Sequence, residues 1–302
     1  MILGSGAPRP EWGTVGVVGL GAMGRPIAEV LAVLRPVAVY DVRDQARSEA
    51  RSHGLAVVDS LAEIAATCTT VVLSLPGPDE VSAVLTALFA GDATPMVLDT
   101  STIGPDSARA NGEFADAAGA TYLDTPVLGR PELVGGWTIP VGGPASAYEA
   151  AAEVLAPLAD RVVHVGDLGA AATVKVANNL MFSVINAVTA EALLLAKAAG
   201  IDPGLFVDTV IDSGAATVSG LFRAIAPRAV DGDFTPTFTL DLVRKDNDLA
   251  VQLANSLGLE LTVGSAARDL HDRAVLAGHG AEDSIAVLRL LEEEFGQEAR
   301  RD

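Results

Sequence analysis

The sequence predicts an α/β chain in two parts: a doubly wound, largely parallel sheet at the N-terminal end, then one long helix leading into a part built of helices alone. Three observations predict it. A short apolar strand runs straight into a glycine-spaced turn, Gly19-Leu20-Gly21-Ala22-Met23-Gly24. Short β-branched runs then alternate with helix-length stretches as far as Val165. After Ala199 the strand pattern disappears.

Length and composition bound the answer. At 302 residues the chain is long for one small core and suggests about two domains, which the element pattern divides at 1–167 and 168–302. Half of the residues are hydrophobic, enough to fill both. The formal net charge of -19 argues against nucleic acid and anionic membrane, which call for a basic face, and admits a small anionic substrate where a few cations are placed locally. Cys68 stands alone, so no intrachain disulfide forms and nothing calls for an oxidising compartment. The start, Met1 to Trp12, lacks a basic segment followed by an apolar core, so no signal peptide is expected and a cytoplasmic protein is. No metal site is expected. Arginine supplies 17 of the 20 basic residues, leaving Lys175, Lys197 and Lys245 as the lysines. An amine kept in such a chain suits a place that needs a shiftable pKa, although GC-rich coding bias gives the same skew.

Thr14 to Val18 reads as a buried strand and Met23 to Leu34 as a helix. Gly19, Gly21 and Gly24 fit the dinucleotide pattern: the first permits the turn, the second lets backbone approach a pyrophosphate, and the third packs helix on strand. A second strand, Val37 to Asp41, ends in an acid about twenty residues on, where the ribose hydroxyls of NAD would lie. Asp41 would repel a ribose phosphate and favours NAD. Arg43 admits two readings, a seat for the extra phosphate of NADP or a solvated loop charge. NAD is the expected cofactor and NADP the alternative. Further strands are expected at Thr70–Leu75, Met96–Asp99, Thr121–Asp124, Thr138–Val141 and Val162–Val165. Leu75, Pro76 and the Thr100-Ser101-Thr102 cluster follow strand C-terminal ends, where open α/β sheets bind ligands. Ser101 is therefore either a ligand contact or an N-cap of the next helix.

The long helix runs from Gly169 to about Ala199. Lys175, Asn178 and Asn179 share one face, because the helix repeats every 3.6 residues. Leu180, Met181, Phe182, Val184, Ile185, Val188, Leu193, Leu194 and Leu195 occupy every face, which predicts a helix buried inside the molecule. Asn178, Asn179, Ser183, Asn186, Glu191 and Lys197 interrupt it too often for a membrane span. Five more helices are expected at Pro203–Ser213, Gly220–Ala229, Thr239–Leu257, Gly264–Ala277 and Asp283–Phe295, bounded by glycines, prolines and polar turns.

Four segments, Gly19 to Gly24, Asp124-Thr-Pro-Val127, Gly169 to Asn179, and Lys245-Asp-Asn-Asp-Leu-Ala250, resemble in order the four signatures of the β-hydroxyacid dehydrogenases. The resemblance spans Thr14 to Glu294. It implies a Rossmann domain, a long interdomain helix and a helical domain, assembled as a homodimer or homotetramer. By position it implies that Lys175 is the catalytic lysine, that Asn178 and Asn179 orient the substrate, that Lys245 closes over the site, and that Ser101 lies near the nicotinamide. Chemistry agrees: hydride transfer from an alcohol carbon leaves a hydroxyl proton to remove, which Lys175 can take if burial and a neighbouring cation depress its pKa.

The second signature departs from the family. Most relatives carry Ser-Gly-Gly after Asp-x-Pro-Val and hold the substrate carboxylate there, whereas this chain has Leu128, Gly129 and Arg130, and a shorter following loop. Arg130 either takes an anionic head bidentately or is a rim charge paired with Glu132. The resulting expectation is an NAD(P)-dependent dehydrogenase or reductase of a small β-hydroxy acid and its semialdehyde, with Ser101, Leu128, Gly129, Arg130, Lys175 and Asn179 around the substrate. Two other readings are an imine reductase and an inactive nucleotide-binding module. Retention of Lys175 speaks against both, and Asp41 against the first.

Overall fold

The structure is a computed structural model and describes residues 13–213 and 219–301. The reading of Met1 to Trp12 falls outside them. The chain divides into two compact units, residues 1–175 and 176–302, and the division falls within one helix.

The first unit alternates strands and helices: β1 (Val15–Val18), α1 (Gly24–Ala32), β2 (Val37–Tyr40), α2 (Asp44–Ser52), β3 (Ala56–Val57), α3 (Leu61–Thr67), β4 (Thr70–Leu73), α4 (Pro78–Leu88), β5 (Met96–Asp99), α5 (Pro105–Ala117), β6 (Tyr122–Asp124), β7 (Trp137–Gly142), α6 (Ala145–Leu155) and β8 (Ala159–Gly166). They build one eight-stranded sheet in the order β3-β2-β1-β4-β5-β6-β7-β8. All pairings are parallel except β6 with β7. Strands buried on both faces read as unbroken apolar runs, and Val71, Val72 and Leu73 of β4 are fully enclosed. Alternate residues feed two cores: Val72 and Leu98 pack with Ile27, Leu31 and Trp137, while Val71, Leu73 and Val97 pack with Ile64, Leu85 and Tyr122. The chain reverses direction of winding between β1 and β4, so a crevice opens outside the C-terminal ends of those strands. β3 has two residues, too few to show a period, and was not among the expected strands.

The helix α7 (Ala170–Ala198) carries the chain into the second unit, followed by α8 (Pro203–Ser213), α9 (Gly220–Val230), α10 (Leu240–Ser256), α11 (Thr262–Ala274) and α12 (Val287–Phe295). Its core gathers Ala190, Leu193 and Leu194 of α7 with Phe222, Ile225, Leu240, Val243, Ile285, Leu288 and Leu291. The helix expected over Gly264–Ala277 ends earlier: a π turn covers Val275–His279, and Gly278 at φ 105° stops it. The 3-10 turn Ser284–Ala286 likewise precedes α12 rather than belonging to it.

α7 departs from the expected all-round burial. Met181, Val188 and Leu195 are 65%, 53% and 71% exposed, and only part of the wheel faces the core. The helix is long and apolar enough to cross a membrane, with a mean hydropathy of 1.6 in its most apolar window. Its polar groups nevertheless find protein partners: Asn247 Nδ2 donates to Ser183 Oγ at 2.7 Å, and Ser284 Oγ donates to Asn186 Oδ1 at 3.1 Å. Those bonds tie the part of α7 that lies in the second unit to other elements of that unit.

Candidate active site

The glycine turn leaves β1 toward the crevice. Gly19 takes φ +90°, and a Cβ there would meet the Ser74 carbonyl at 2.2 Å; one on Gly24 would meet the Gly19 carbonyl at 1.8 Å. Only glycine fits at either place. Gly21 is different, because nothing lies within 4 Å of where its Cβ would stand. Gly21 and Ala22 are exposed, and Met23 is half-buried as α1 begins. The turn therefore offers open backbone and a helix N-terminus, which fits a pyrophosphate.

Asp41, just beyond β2, is 6% exposed and its carboxylate is fully engaged. Leu20 N donates to Oδ2 at 2.8 Å, and Arg43 donates from its backbone N and Nε to Oδ1 and from Nη2 to Oδ2. Burial works to raise the Asp41 pKa, but the Arg43 guanidinium and the two backbone donors outweigh it and hold the carboxyl below its usual range. Arg43 is thus neither a free phosphate seat nor a loose loop charge here, since it spans Asp41.

On the same edge of the sheet, Ser101 Oγ accepts from Leu75 N at 2.9 Å, and Ser101 N donates to Asp99 Oδ1 at 2.9 Å. The N-cap of α5 is Gly104, so Ser101 does not cap that helix. It straps the β4 end, with half-buried Leu75 and exposed Pro76, to the β5 end. Asp99 is buried, accepts from the Tyr122 hydroxyl at 2.6 Å, and has its carboxyl pushed up to about 6 by burial, with the Asp124 charge adding to the rise.

After β6 the chain reaches the departed signature. Leu128 bridges Thr138 of β7 through paired backbone bonds of 2.9 and 3.2 Å. The Trp137 indole donates to the Arg130 carbonyl at 2.7 Å, and a Cβ on Gly129 would meet that ring at 2.1 Å. The backbone of residues 128–130 is therefore clamped, while the Arg130 side chain is exposed and, among the described residues, makes no ion pair or hydrogen bond, Glu132 included. Lys175, half-buried on α7, donates from Nζ to the Val127 carbonyl at 2.8 Å. That bond brings the lysine to the base of the same loop.

In the second unit, Asn179 is buried and both ends of its amide are used. Its Nδ2 donates to Asp246 Oδ2 at 2.5 Å, and its Oδ1 accepts from Asn178 Nδ2 at 3.0 Å. The reverse orientation would face oxygen to oxygen, so the carboxylate dictates the amide. Asn178 is exposed, with its Oδ1 uncommitted among the described residues. Lys245 Nζ lies 3.0 Å from Asp246 Oδ1. Asp246, 3% exposed, thus ties Asn179 and Lys245 together, a role that sequence reading missed. A signal existed: Asp246 and Asn247 interrupt the apolar stripe Val243, Ala250, Ala254 of α10.

Comparison with known proteins identifies the family. The family described as the NAD binding domain of 6-phosphogluconate dehydrogenase matches residues 14–166, and that described as the NAD-binding of NADP-dependent 3-hydroxyisobutyrate dehydrogenase matches residues 169–291. L-threonate dehydrogenase of Cupriavidus necator is 32% identical over 92% of this chain and 95% of its own. 3-Sulfolactaldehyde reductase of Escherichia coli is 30% identical over 95% and 98%. Among solved structures, 3-hydroxyisobutyrate dehydrogenase from Salmonella typhimurium is similar with a TM-score of 0.82 at 30% identity, covering 92% of this chain and 99% of the other.

Proposed function

Because the chain belongs to the β-hydroxyacid dehydrogenase family, and is an NAD(P)-dependent oxidoreductase of hydroxy acids, we propose that its substrate is a small β-hydroxy acid with a strong anionic head and that Lys175 moves the proton. The observation that carries this reading is the Lys175 Nζ bond to the Val127 carbonyl, beside a loop that ends in an arginine whose side chain has no partner among the described residues.

The nicotinamide, when bound, supplies the hydride acceptor. Lys175 Nζ takes the hydroxyl proton in oxidation and returns it in reduction. A carbonyl oxygen only accepts, so Val127 keeps one Nζ hydrogen in either charge state and holds the amine at the base of the Arg130 loop. Asn178 Oδ1 holds the hydroxyl, and Asn179, fixed by Asp246, keeps Asn178 in place. Arg130 takes the anionic head in place of the family's serine, by a bidentate bond that suits carboxylate, sulfonate or phosphonate. Relatives named for threonate and sulfolactaldehyde support a small substrate with one such head. The ionised Asp41 favours NAD over NADP. The working form is a cytoplasmic homodimer or homotetramer.

A spectrophotometric screen tests this, with NAD and NADP against 3-hydroxyisobutyrate, glycerate, 4-hydroxybutyrate, serine and sulfonated analogues. NAD-dependent oxidation of one of them is expected, and Arg130→Ala should raise its KM about 10- to 100-fold with little change in kcat. Higher kcat/KM with NADP would overturn the cofactor assignment, and an unchanged KM in the variant would remove Arg130 from the substrate.

A further inference from the structure

Asp124, the last residue of β6, is 1% exposed and stands in register between Asp99 of β5 and Gly142 of β7. Its carboxylate faces the start of α7. Oδ1 accepts from Gly169 N at 3.0 Å and Oδ2 from Ala172 N at 2.7 Å. These are donors of the kind that a helix start leaves without an intrahelical acceptor. Space is reserved for the carboxylate, because a Cβ on Gly142 would stand 2.4 Å from Oδ1.

Three residues further on, the same segment touches α7 again, where Val127 accepts from Lys175 Nζ. Between the two contacts Thr125 and Pro126 are buried, and Thr125 N donates to the Asp99 carbonyl at 2.8 Å, which pins the segment to β5. A stretch of four residues therefore grips the helix at its first turn through a side chain and at its second through a backbone carbonyl. The carboxylate sets the height and rotation of the first turn, and the carbonyl receives the amine that this rotation presents.

We propose that Asp124 is a positioning residue for Lys175: by holding Gly169 N and Ala172 N it fixes where Nζ stands relative to the Val127 carbonyl. The proposal rests on the acid/base reading of Lys175 above. It differs from ordinary helix capping. A cap alone would change the melting temperature and leave the turnover of folded molecules unaltered, whereas displacing a proton-transfer group by about an ångström costs up to about 100-fold in rate.

The test is a double-mutant cycle on the substrate found by the screen. Asp124→Asn keeps the shape but turns an amino group toward one of the two backbone donors. Folding is checked by circular dichroism and NAD binding by fluorescence. Turnover should fall about 10- to 100-fold, with substrate KM and the NAD Kd within about threefold of wild type. In a Lys175→Ala background the same change should cost less than about twofold, because the group being positioned is gone. Gly142→Ala, which crowds the carboxylate without removing it, is run in both backgrounds and carries the test should Asp124→Asn not fold. An equal loss in both backgrounds, no loss at all, or a shift in KM or Kd without one in kcat overturns the proposal and leaves the lysine reading standing. Near-wild-type turnover in Lys175→Ala removes that reading, and the proposal with it.

Discussion

Asp99 is enclosed on all sides, and burial pushes its carboxyl up to about 6, so it makes the stability of the sheet depend on pH. Below about pH 4 the folded and unfolded chains both hold its proton, so it contributes no difference. Between about 4 and 6 the unfolded chain releases the proton and the folded one keeps it, so stability falls as pH rises, by about 3 kcal/mol in total once the folded group has also ionised. Asp99→Asn retains an acceptor for Ser101 N and a partner for Tyr122 without the charge. The stability gap between variant and wild type, from urea melts, should widen in favour of the variant from pH 4 to 6.5 and then level. A gap that stays flat over that range contradicts the account. Acids of this kind were the least legible part of the sequence. Asp99, Asp124 and Asp246 are bound by Tyr122, by Gly169 and Ala172, and by Asn179, partners 23 to 67 residues away. Lys175 and Asp41 stood out as candidates, because each sits in a spacing with a chemical reason of its own.

At the scale of elements, α7 carries an exposed apolar stripe that the sequence alone could not distinguish from a core. Val174, Met181, Val188 and Leu195 recur every seven residues, are 39%, 65%, 53% and 71% exposed, and so form one apolar stripe along the helix. Covering each half-exposed side chain contributes about 1 kcal/mol, which favours a symmetric partner. Light scattering at micromolar concentration should show a dimer or tetramer, and Leu195→Glu, at the most exposed position, should shift it toward monomer with the fold intact. A wild-type monomer would reject the assembly. The apolar count was right, but a wheel filled on every face reads the same whether this chain or a second copy covers it. Other elements followed their local signals closely, since Pro203–Ser213 and Met96–Asp99 match the expected bounds. The π turn after α11 escaped notice because Gly278 lies beyond the last apolar repeat.

For the whole molecule, strand and helix alternation up to β8 and its loss after α7 were enough to foresee a wound sheet followed by helices. The antiparallel return of β7 was not, because a short strand shows its period and hides its direction. That return places Trp137 on β7 where its indole clamps the backbone of Arg130, three residues after the Val127 carbonyl that receives Lys175. Under the proposed function, cofactor binding rests on the glycine turn and Asp41 and proton transfer on Lys175, so the two functions should separate by mutation. The most direct measurement is the turnover of Lys175→Arg beside Lys175→Ala, each with its NAD Kd. The account predicts that both variants lose about 10²- to 10⁴-fold in kcat, because guanidinium keeps the charge but cannot shuttle a proton near neutral pH, while NAD binds nearly as in wild type. Near-wild-type turnover by Lys175→Arg would contradict it.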